Sequence, residues 1–196
     1  MITRNQAIEL LHSKMSSVNL RRHCYAVETS MRALYNTLEV PSLGYNSERE
    51  EVWAITGLLH DGDYEFVQKD LTRHTHQIVE WLIPLGASEE ITHAILSHGW
   101  QYIDGNPEPS TLLEWSLYCC DELTGLIVAV ALVKPDKKLN SVTLESVQNK
   151  WNAKGFAAGA KRSQIELCEE KLKIPLRDFI SIVLQSMQKI SSDIGL

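Results

Sequence analysis

One stretch limits what this chain can fold into, an almost unbroken apolar segment from Thr111 to Val133 that stops at Lys134-Pro135. It is hydrophobic on nearly every side of a helix rather than along one stripe, which is typical of a buried helix. We therefore expect it at the centre of a helical bundle. No uninterrupted apolar run in the chain reaches the roughly 18 residues that a membrane helix needs.

The remaining sequence also has helical spacing, with apolar residues three and four positions apart and no strand-like alternation. Capping-box pairs mark three of the helix starts: Thr3 with Gln6, Ser47 with Glu50, and Thr111 with Glu114. The predicted helices cover about residues 3–14, 20–38, 48–60, 71–84, 88–98, 111–133, 143–151, 162–172 and 176–192. The sequence predicts a single all-α domain, a helical bundle spanning residues 1–196.

Composition narrows the class of function. The chain has 196 residues, of which 44% are hydrophobic, so it can bury a sizeable core. A net charge of -6 without a run of lysine and arginine argues against a nucleic-acid partner. We also expect a cytosolic protein without a membrane partner, since the first residues lack the pattern of a signal peptide and the cysteines lack metal or disulfide spacing. The four cysteines are Cys24, Cys119, Cys120 and Cys168.

Polar residues that can bind metal lie where apolar residues are expected. His23 and His98 fall on the apolar faces of their helices, His60-Asp61 follows a buried helix, and Asp121 interrupts the central segment. A buried polar group without a partner costs roughly 1–3 kcal/mol. Each histidine alone is explained most simply by a bond to a backbone carbonyl. The set as a whole indicates a transition-metal, magnesium or manganese site.

His74 and His76 compete for one further place. Residues two apart on a helix point about 200° away from each other, so only one of the two can face inward. His74 is in register with Ile78 and Leu82, which form the apolar stripe, and we therefore predict that His74 points inward. His12 and His93 are not expected to be ligands.

The ordered set resembles the HD-domain superfamily of metal-dependent phosphohydrolases, which are all-α proteins named for an adjacent His-Asp pair. The resemblance covers about 100 residues, from His23 to Asp121. It is closest to an uncharacterised bacterial branch of predicted HD hydrolases. The similar motifs are Leu58-Leu59-His60-Asp61, Ile95-Leu96-Ser97-His98-Gly99-Trp100, Asp121-Glu122-Leu123-Thr124-Gly125-Leu126 and Phe156-Ala157-Ala158-Gly159.

The resemblance implies a set of metal ligands. A first ion would be bound by His23, His60, Asp61 and Asp121. In members with two ions, Asp61 would bridge them, and His74 and His98 would hold the second. The sequence does not distinguish Mn, Mg, Fe, Zn, Co and Ni. The metal-site core would span about residues 20–134, with C-terminal helices at about 143–192 packed on it.

The expected chemistry uses Asp61 and Asp63. A bound divalent ion lowers the pKa of water and supplies a nucleophile, with Asp61 holding the ion. Asp63 either orients water or a ligand histidine, or is only a turn residue after Gly62. Candidate substrate-binding residues are Arg22, Trp100, Lys134, Lys150 and Arg162, although a cation of this kind is more often only a solvated surface charge.

The resemblance therefore implies a phosphohydrolase acting on a small phosphorylated metabolite or nucleotide. The absence of a Gly-Tyr-Pro motif after His98 argues against cyclic-di-GMP as the substrate. Two alternatives stay open. One is a non-catalytic module that binds a metal or another ligand, and the other is a di-iron oxygenase with the same fold.

Overall fold

The computed structural model describes residues 2–153 and 155–196. These residues form eleven α-helices and no strand, which confirms the all-α prediction. In chain order the helices are α1 (Arg4–Lys14), α2 (Val18–Leu38), α3 (Val40–Leu43), α4 (Ser47–Leu59), α5 (His76–Leu82), α6 (Glu89–His98), α7 (Leu112–Leu132), α8 (Leu144–Trp151), α9 (Arg162–Lys171), α10 (Leu176–Lys189) and α11 (Ser191–Ile194). Single 3-10 turns cover Leu71–Arg73, Ile83–Leu85 and Leu139–Ser141.

The two longest helices, α2 and α7, have 21 residues each and form the centre of the bundle. They pack on each other, α4 packs along α2, and α9 packs along α7. Helix α6 contacts both α4 and α7, while α10 covers α2 and α7 from another side. The predicted central position of the 111–133 segment is therefore confirmed.

Helix α7 is also the one helix among the described residues that could cross a membrane by length and composition alone. Its most apolar 18-residue window has a mean hydropathy of 1.4, and 67% of that window is buried inside the protein. The sequence criterion had excluded it because Asp121 and Glu122 interrupt the apolar run. Its burial is that of a helix at the centre of a bundle.

Helix starts follow the sequence at some positions and depart from it at others. Thr3 and Thr111 both form the predicted capping boxes. Helix α4 is capped by Asn46 rather than Ser47, because the Asn46 side chain accepts a hydrogen bond from the backbone N–H of Arg49. Ser17 likewise caps α2.

The predicted helix over 71–84 is wrong as a single element. A 3-10 turn precedes α5, and the two are separated at Thr75, whose φ is 67°. A β-branched residue in this region is strained by on the order of 1–3 kcal/mol. Thr75 is buried, and its hydroxyl accepts a hydrogen bond of 2.9 Å from Asn106. This break turns the chain just after His74 and sets the direction of that side chain.

Gly57 fixes the distance between α2 and α4. A Cβ at this position would lie 2.8 Å from Met31 Cγ and 2.9 Å from the backbone oxygen of Val27. The helices therefore touch backbone to backbone, about one turn from His23 on α2 and from His60 at the end of α4. Only glycine permits this approach.

We expect Gly57→Ala to lower the free energy of unfolding. Alanine gains about 1 kcal/mol of helix propensity over glycine. Overpacking against a backbone that cannot move costs about 1–3 kcal/mol, which outweighs that gain. Urea unfolding monitored by circular dichroism measures the difference. The control is Gly125→Ala on α7, where an added Cβ has nothing within 4 Å and should be neutral or stabilising. Equal stability of the two variants would contradict the close contact.

Candidate metal centre

Six side chains from five parts of the fold converge at one end of the α2–α7 pair. His23 lies on α2, His60 caps the C-terminus of α4, His98 ends α6, and Asp121 lies in the middle of α7. Asp61 and His74 come from the turns between α4 and α5. His60 is fully buried, whereas the side chain of His23 is 25% exposed. The group is therefore partly open to solvent.

The first group of donors contains two imidazoles and two carboxylates. His23 Nε2 lies 3.2 Å from His60 Nε2 and 2.9 Å from Asp121 Oδ1. His60 Nε2 lies 3.3 Å from the same carboxylate oxygen. Asp61 Oδ2 is 3.6 Å from His23 Nε2 and 3.7 Å from His60 Nε2. Both carboxylates therefore lie within 3.7 Å of the Nε2 atoms of the same two histidines.

The other oxygen of Asp61 faces a second pair of histidines. Asp61 Oδ1 is 3.3 Å from His74 Nε2 and 3.4 Å from His98 Nε2. The opposite ring nitrogen of His98 is buried without a hydrogen-bond partner and lies 3.6 Å from Asp121 Oδ2. Asp61 therefore lies between two groups of donors, with one oxygen directed at each.

These separations fit a divalent ion. Donors bound at about 2.1 Å with tetrahedral or octahedral angles lie roughly 3.0–3.4 Å from one another. The separations in both groups fall in or close to that interval. Imidazole with carboxylate is the donor set expected of first-row transition metals. The cluster can hold a metal ion.

The ring orientation of three histidines also suits metal binding. His60 Nδ1 lies 2.8 Å from the backbone oxygen of Gly57, and His74 Nδ1 lies 2.7 Å from Asp63 Oδ1. His23 Nδ1 lies 3.3 Å from the hydroxyl of Thr124, which itself donates to the backbone oxygen of Asp121. Each Nδ1 therefore carries the proton and donates it. When the ring is neutral, the lone pair is therefore on Nε2, the atom that faces the other donors.

Asp63 supports the second group. It is fully buried, and its Oδ2 accepts a hydrogen bond of 2.9 Å from the backbone N–H of Ile78 in the first turn of α5. Its other oxygen holds His74. Asp63 therefore fixes both the start of α5 and the ring of His74.

Glu65 connects the segment after His60-Asp61 to α2, the helix that carries His23. Its carboxylate accepts hydrogen bonds from the backbone N–H groups of Ser16 and Ser17, at 2.8 Å and 2.9 Å, at the start of α2. These bonds occupy donors that a helix N-terminus leaves free. The segment that follows the His60-Asp61 pair is thus tied to α2 as well as to α5.

Burial and neighbouring charges shift the pKa values of the cluster residues in opposite directions. Burial lowers the pKa of His60, but the charges of Asp61 and Asp121 outweigh it and raise the pKa to about 9. Burial also acts to lower the pKa of His74, and hydrogen bonds to Asp61 and Asp63 raise it to about 10. The histidines hold the pKa of the Asp61 and Asp121 carboxyls well below its usual range, although burial opposes this shift.

These pKa shifts predict that metal affinity rises with pH. Below about pH 9, His60 and His74 carry a proton that an entering ion must displace. We expect affinity to increase about tenfold per pH unit, or more, from pH 7 to pH 9. The protein without metal should respond in the opposite sense. Its raised histidine pKa values contribute stability below about pH 6.5 that is lost as the pH passes 9 to 10.

Competition with a chromophoric chelator at pH 7, 8 and 9 measures the affinity. Thermal unfolding in chelator over the same interval measures the stability of the metal-free protein. An affinity that does not change with pH would contradict the displacement of protons from the cluster.

Comparison with known proteins identifies no relative of this chain. No family model, curated protein or solved structure matches this chain. The metal-binding interpretation therefore rests on the geometry of the cluster.

A cavity of about 540 Å³ opens beside the cluster. Its volume lies within the range of small-molecule sites. Asp61, His74, His98 and Asp121 form part of its wall. The other lining residues are Leu20, Tyr64, Leu71, Gly99, Tyr102, Ile103, Glu122 and Gln164. The cluster can therefore meet a small molecule held in this cavity.

Sequence reasoning missed the polar residues of this wall. Tyr102 follows α6 in a loop, Glu122 lies next to Asp121, and Gln164 comes from α9. Burial raises the pKa of the Glu122 carboxyl, with the neighbouring charge of Asp121 acting in the same direction. Glu122 was recognisable in the sequence as a charge directly after Asp121 within an apolar segment. The approach of Gln164 depends on the packing of α9 against α7, which has no signal in the sequence.

None of the five predicted substrate-binding residues is among those that line this cavity. Trp100 packs against Trp115 and Tyr118, with ring centroids 5.8 Å and 5.6 Å away. The Lys134 ammonium donates to the Ser146 hydroxyl, about 20 Å along the axis of α7 from Asp121. The Lys150 ammonium lies 5.1 Å from the centroid of the Phe156 ring.

The remaining two predicted cations, Arg22 and Arg162, lie at or beside other cavities that His23 lines. Arg22 lines a separate cavity of about 380 Å³ together with His23 and the C-terminal Leu196. Arg162 donates to the backbone oxygens of Phe156, Ala157 and Ala160, at 2.6 to 2.7 Å. Its guanidinium thus holds together the 156–160 segment, part of which lines a third cavity beside His23 and Asp121.

Proposed function

We propose that this protein is a metal-dependent phosphohydrolase that acts on a small phosphorylated molecule. The observation that carries the proposal is the position of Asp61. One of its oxygens faces His23 and His60, and the other faces His74 and His98, so that two ions can be bound side by side. A pair of divalent ions activates water and neutralises the charge of a phosphoryl group.

The residues of the chain have separate tasks in this proposal. Asp61 holds the two donor groups at a fixed separation, and Asp63 keeps the lone pair of His74 directed toward them. The cavity binds the ester and limits the access of other water. The oxygen of one water forms a bond to phosphorus, while the bond from phosphorus to the alcohol oxygen breaks. That oxygen leaves with the electron pair and takes up a proton, so the products are inorganic phosphate and an alcohol.

The resemblance to the HD-domain superfamily supports the same reaction. Its ordered ligands correspond to the side chains that converge here, and its members bind one or two ions. A non-catalytic metal-binding module and a di-iron oxygenase would use the same donors. The test therefore measures both turnover and the identity of the metal.

The test uses purified protein stripped of metal and reloaded with Mn, Mg, Fe, Zn, Co or Ni in turn. Each form is assayed for phosphate release from an aryl phosphate and from a panel of sugar phosphates and nucleotides. The matched variants are His74→Ala and His76→Ala. His74 lies in the cluster, whereas His76 is exposed two residues away. We expect loss on the order of a hundredfold or more for the first variant only.

Two outcomes would overturn the proposal. One is metal binding without turnover of any phosphate ester, which indicates the binding module. The other is tight iron binding with an oxygen-sensitive absorption band and no phosphatase activity, which indicates the oxygenase.

A further inference from the structure

Three oxygen acceptors meet in one part of the cavity wall. The Tyr102 hydroxyl lies 3.2 Å from Glu122 Oε1 and also contacts Gln164 Oε1. Gln164 is 5% exposed, and its Nε2 donates to the backbone oxygen of Tyr118 at 2.7 Å. This bond fixes the amide with its oxygen toward Tyr102.

The group formed by Tyr102, Glu122 and Gln164 has fewer hydrogen-bond donors than acceptors. A tyrosine hydroxyl has one hydrogen and can donate it to one oxygen only. Whichever of Glu122 and Gln164 does not receive it keeps an acceptor site open toward the cavity. The other Glu122 oxygen accepts a hydrogen bond of 3.1 Å from the backbone N–H of Lys161. Lys161 also places its ammonium 3.7 Å from the centroid of the Tyr102 ring. These contacts fix the positions of Tyr102 and Glu122. They still leave one oxygen of the group able to accept a hydrogen bond from a ligand.

The rest of the wall away from the metal cluster is apolar. Leu20, Leu71 and Ile103 line it together with the ring of Tyr64, which stands edge-on to His74 with centroids 5.4 Å apart. Tyr64 and Leu71 are 37% and 48% exposed, so they lie where the cavity meets solvent. An aromatic or hydrophobic group can lie against this part of the wall.

The charge of the wall is negative. Asp61, Asp121 and Glu122 are its acidic residues, and among the described lining residues there is no lysine or arginine. The Lys161 ammonium, which lies over the ring of Tyr102, is the one cation placed against this wall by the contacts above, and it leaves the sum of these charges negative. Bound ions would compensate the charge of one phosphoryl group. A second or third phosphate would then meet carboxylates and apolar side chains, which disfavour it.

We propose, resting on the phosphohydrolase function above, that the substrates are phosphate monoesters of an alcohol with a hydrophobic or aromatic body and a hydrogen-bond donor. Tyr102, Glu122 and Gln164 form the subsite for that donor. The apolar wall holds the body of the alcohol, and the subsite discriminates against molecules that present only an acceptor there. Nucleoside diphosphates and triphosphates are excluded by charge.

The experiment compares two esters that differ only in a methyl group that replaces one hydroxyl hydrogen. These are 4-(hydroxymethyl)phenyl phosphate, which has a donor, and 4-(methoxymethyl)phenyl phosphate, which has none. The metal-loaded protein is assayed for kcat/KM on both. Calorimetry measures the Kd of the corresponding phosphonates, which are not hydrolysed. We expect the donor compound to be favoured by about tenfold or more in both measurements, as for a hydrogen bond to a charged or polar acceptor.

Glu122→Gln tests the subsite directly, because the amide has the same shape but can itself donate. It should reduce the preference for the donor compound about tenfold while metal content stays the same. The matched control is Glu145→Gln, the same charge change at an exposed position on α8. This control should keep the wild-type preference. Adenosine triphosphate and phenyl diphosphate, tested alongside, should be at least tenfold poorer than the monoesters.

The outcomes separate the two proposals. Turnover of monoesters with no preference between the paired compounds, or with equal turnover of triphosphates, overturns the substrate class alone. A preference that survives in Glu122→Gln overturns the assignment of the subsite. Failure to hydrolyse any ester overturns the proposed function and this inference with it.

Discussion

Asp61→Ala should remove both metal positions at once and leave the helices intact. Asp61 contributes an oxygen to each donor group, so neither group keeps its full set of ligands without it. Its side chain lies at the edge of the cavity and not in the apolar core, and its loss creates no large void. We expect metal content measured by mass spectrometry to fall to background, with an unchanged far-ultraviolet circular dichroism spectrum.

Thermal unfolding gives an independent measure of the same variant. A ligand at a hundredfold excess over its Kd stabilises the native state by about 2.7 kcal/mol. Added metal should therefore raise the Tm of the wild type and leave that of Asp61→Ala unchanged. The control is Asp104→Ala, an exposed aspartate in the loop after α6, which should respond like the wild type. Equal metal content in wild type and Asp61→Ala would refute the site.

Asp63→Asn should selectively weaken the binding of the second ion, the one expected between Asp61, His74 and His98. In the wild type, Asp63 accepts hydrogen bonds from both His74 Nδ1 and the backbone N–H of Ile78. An asparagine can accept only through its one oxygen, which the fixed N–H of Ile78 will occupy. Its amide then donates to His74 Nδ1, and the ring proton moves to Nε2, the nitrogen that faces Asp61. A protonated Nε2 has no lone pair for a metal.

The expected result is a loss of 10- to 100-fold in affinity for the second ion, as for other carboxylates that orient ligand histidines. The first ion, which His23 and His60 hold, should be affected much less. Titration with manganese monitored by electron paramagnetic resonance distinguishes two coupled ions from one. Asp63→Ala is the less informative variant, because it also leaves buried donors unpaired and costs stability. An unchanged spectrum for coupled ions in Asp63→Asn would contradict this role.

Much of the cluster could be predicted because its residues lie on helices with regular periodicity. His23 and His98 interrupt apolar stripes, and Asp121 interrupts a buried helix, so each one is visible as an exception to a pattern. His74 lies in the cluster, but not for the reason that the sequence suggested. His74 precedes α5, and it points inward because Thr75 turns the chain and Asp63 holds the ring, rather than because of helical register.

The cavity wall could not be predicted in the same way. Tyr102 and Gln164 are ordinary residues of a loop and of a polar helix, and they meet only because α9 packs along α7. Conversely, Trp100 follows His98 by only two residues, but α6 ends at His98, and the Trp100 ring packs against Trp115. The spacing of residues in the sequence predicts which side chains share a face of one helix. It does not predict which side chains from different helices meet.

The close contact of α2 with α4 and α7 has a consequence for the order of folding. The first donor group joins His23 to Asp121, two residues far apart in the chain, so it is complete only after α2 and α7 have docked. Contacts between distant residues close late because loop closure is costly. An ion bound by this group then stabilises the native state more than the folding transition state. Metal would therefore slow unfolding and leave the rate of folding almost unchanged, so that its benefit is a longer lifetime of the folded protein.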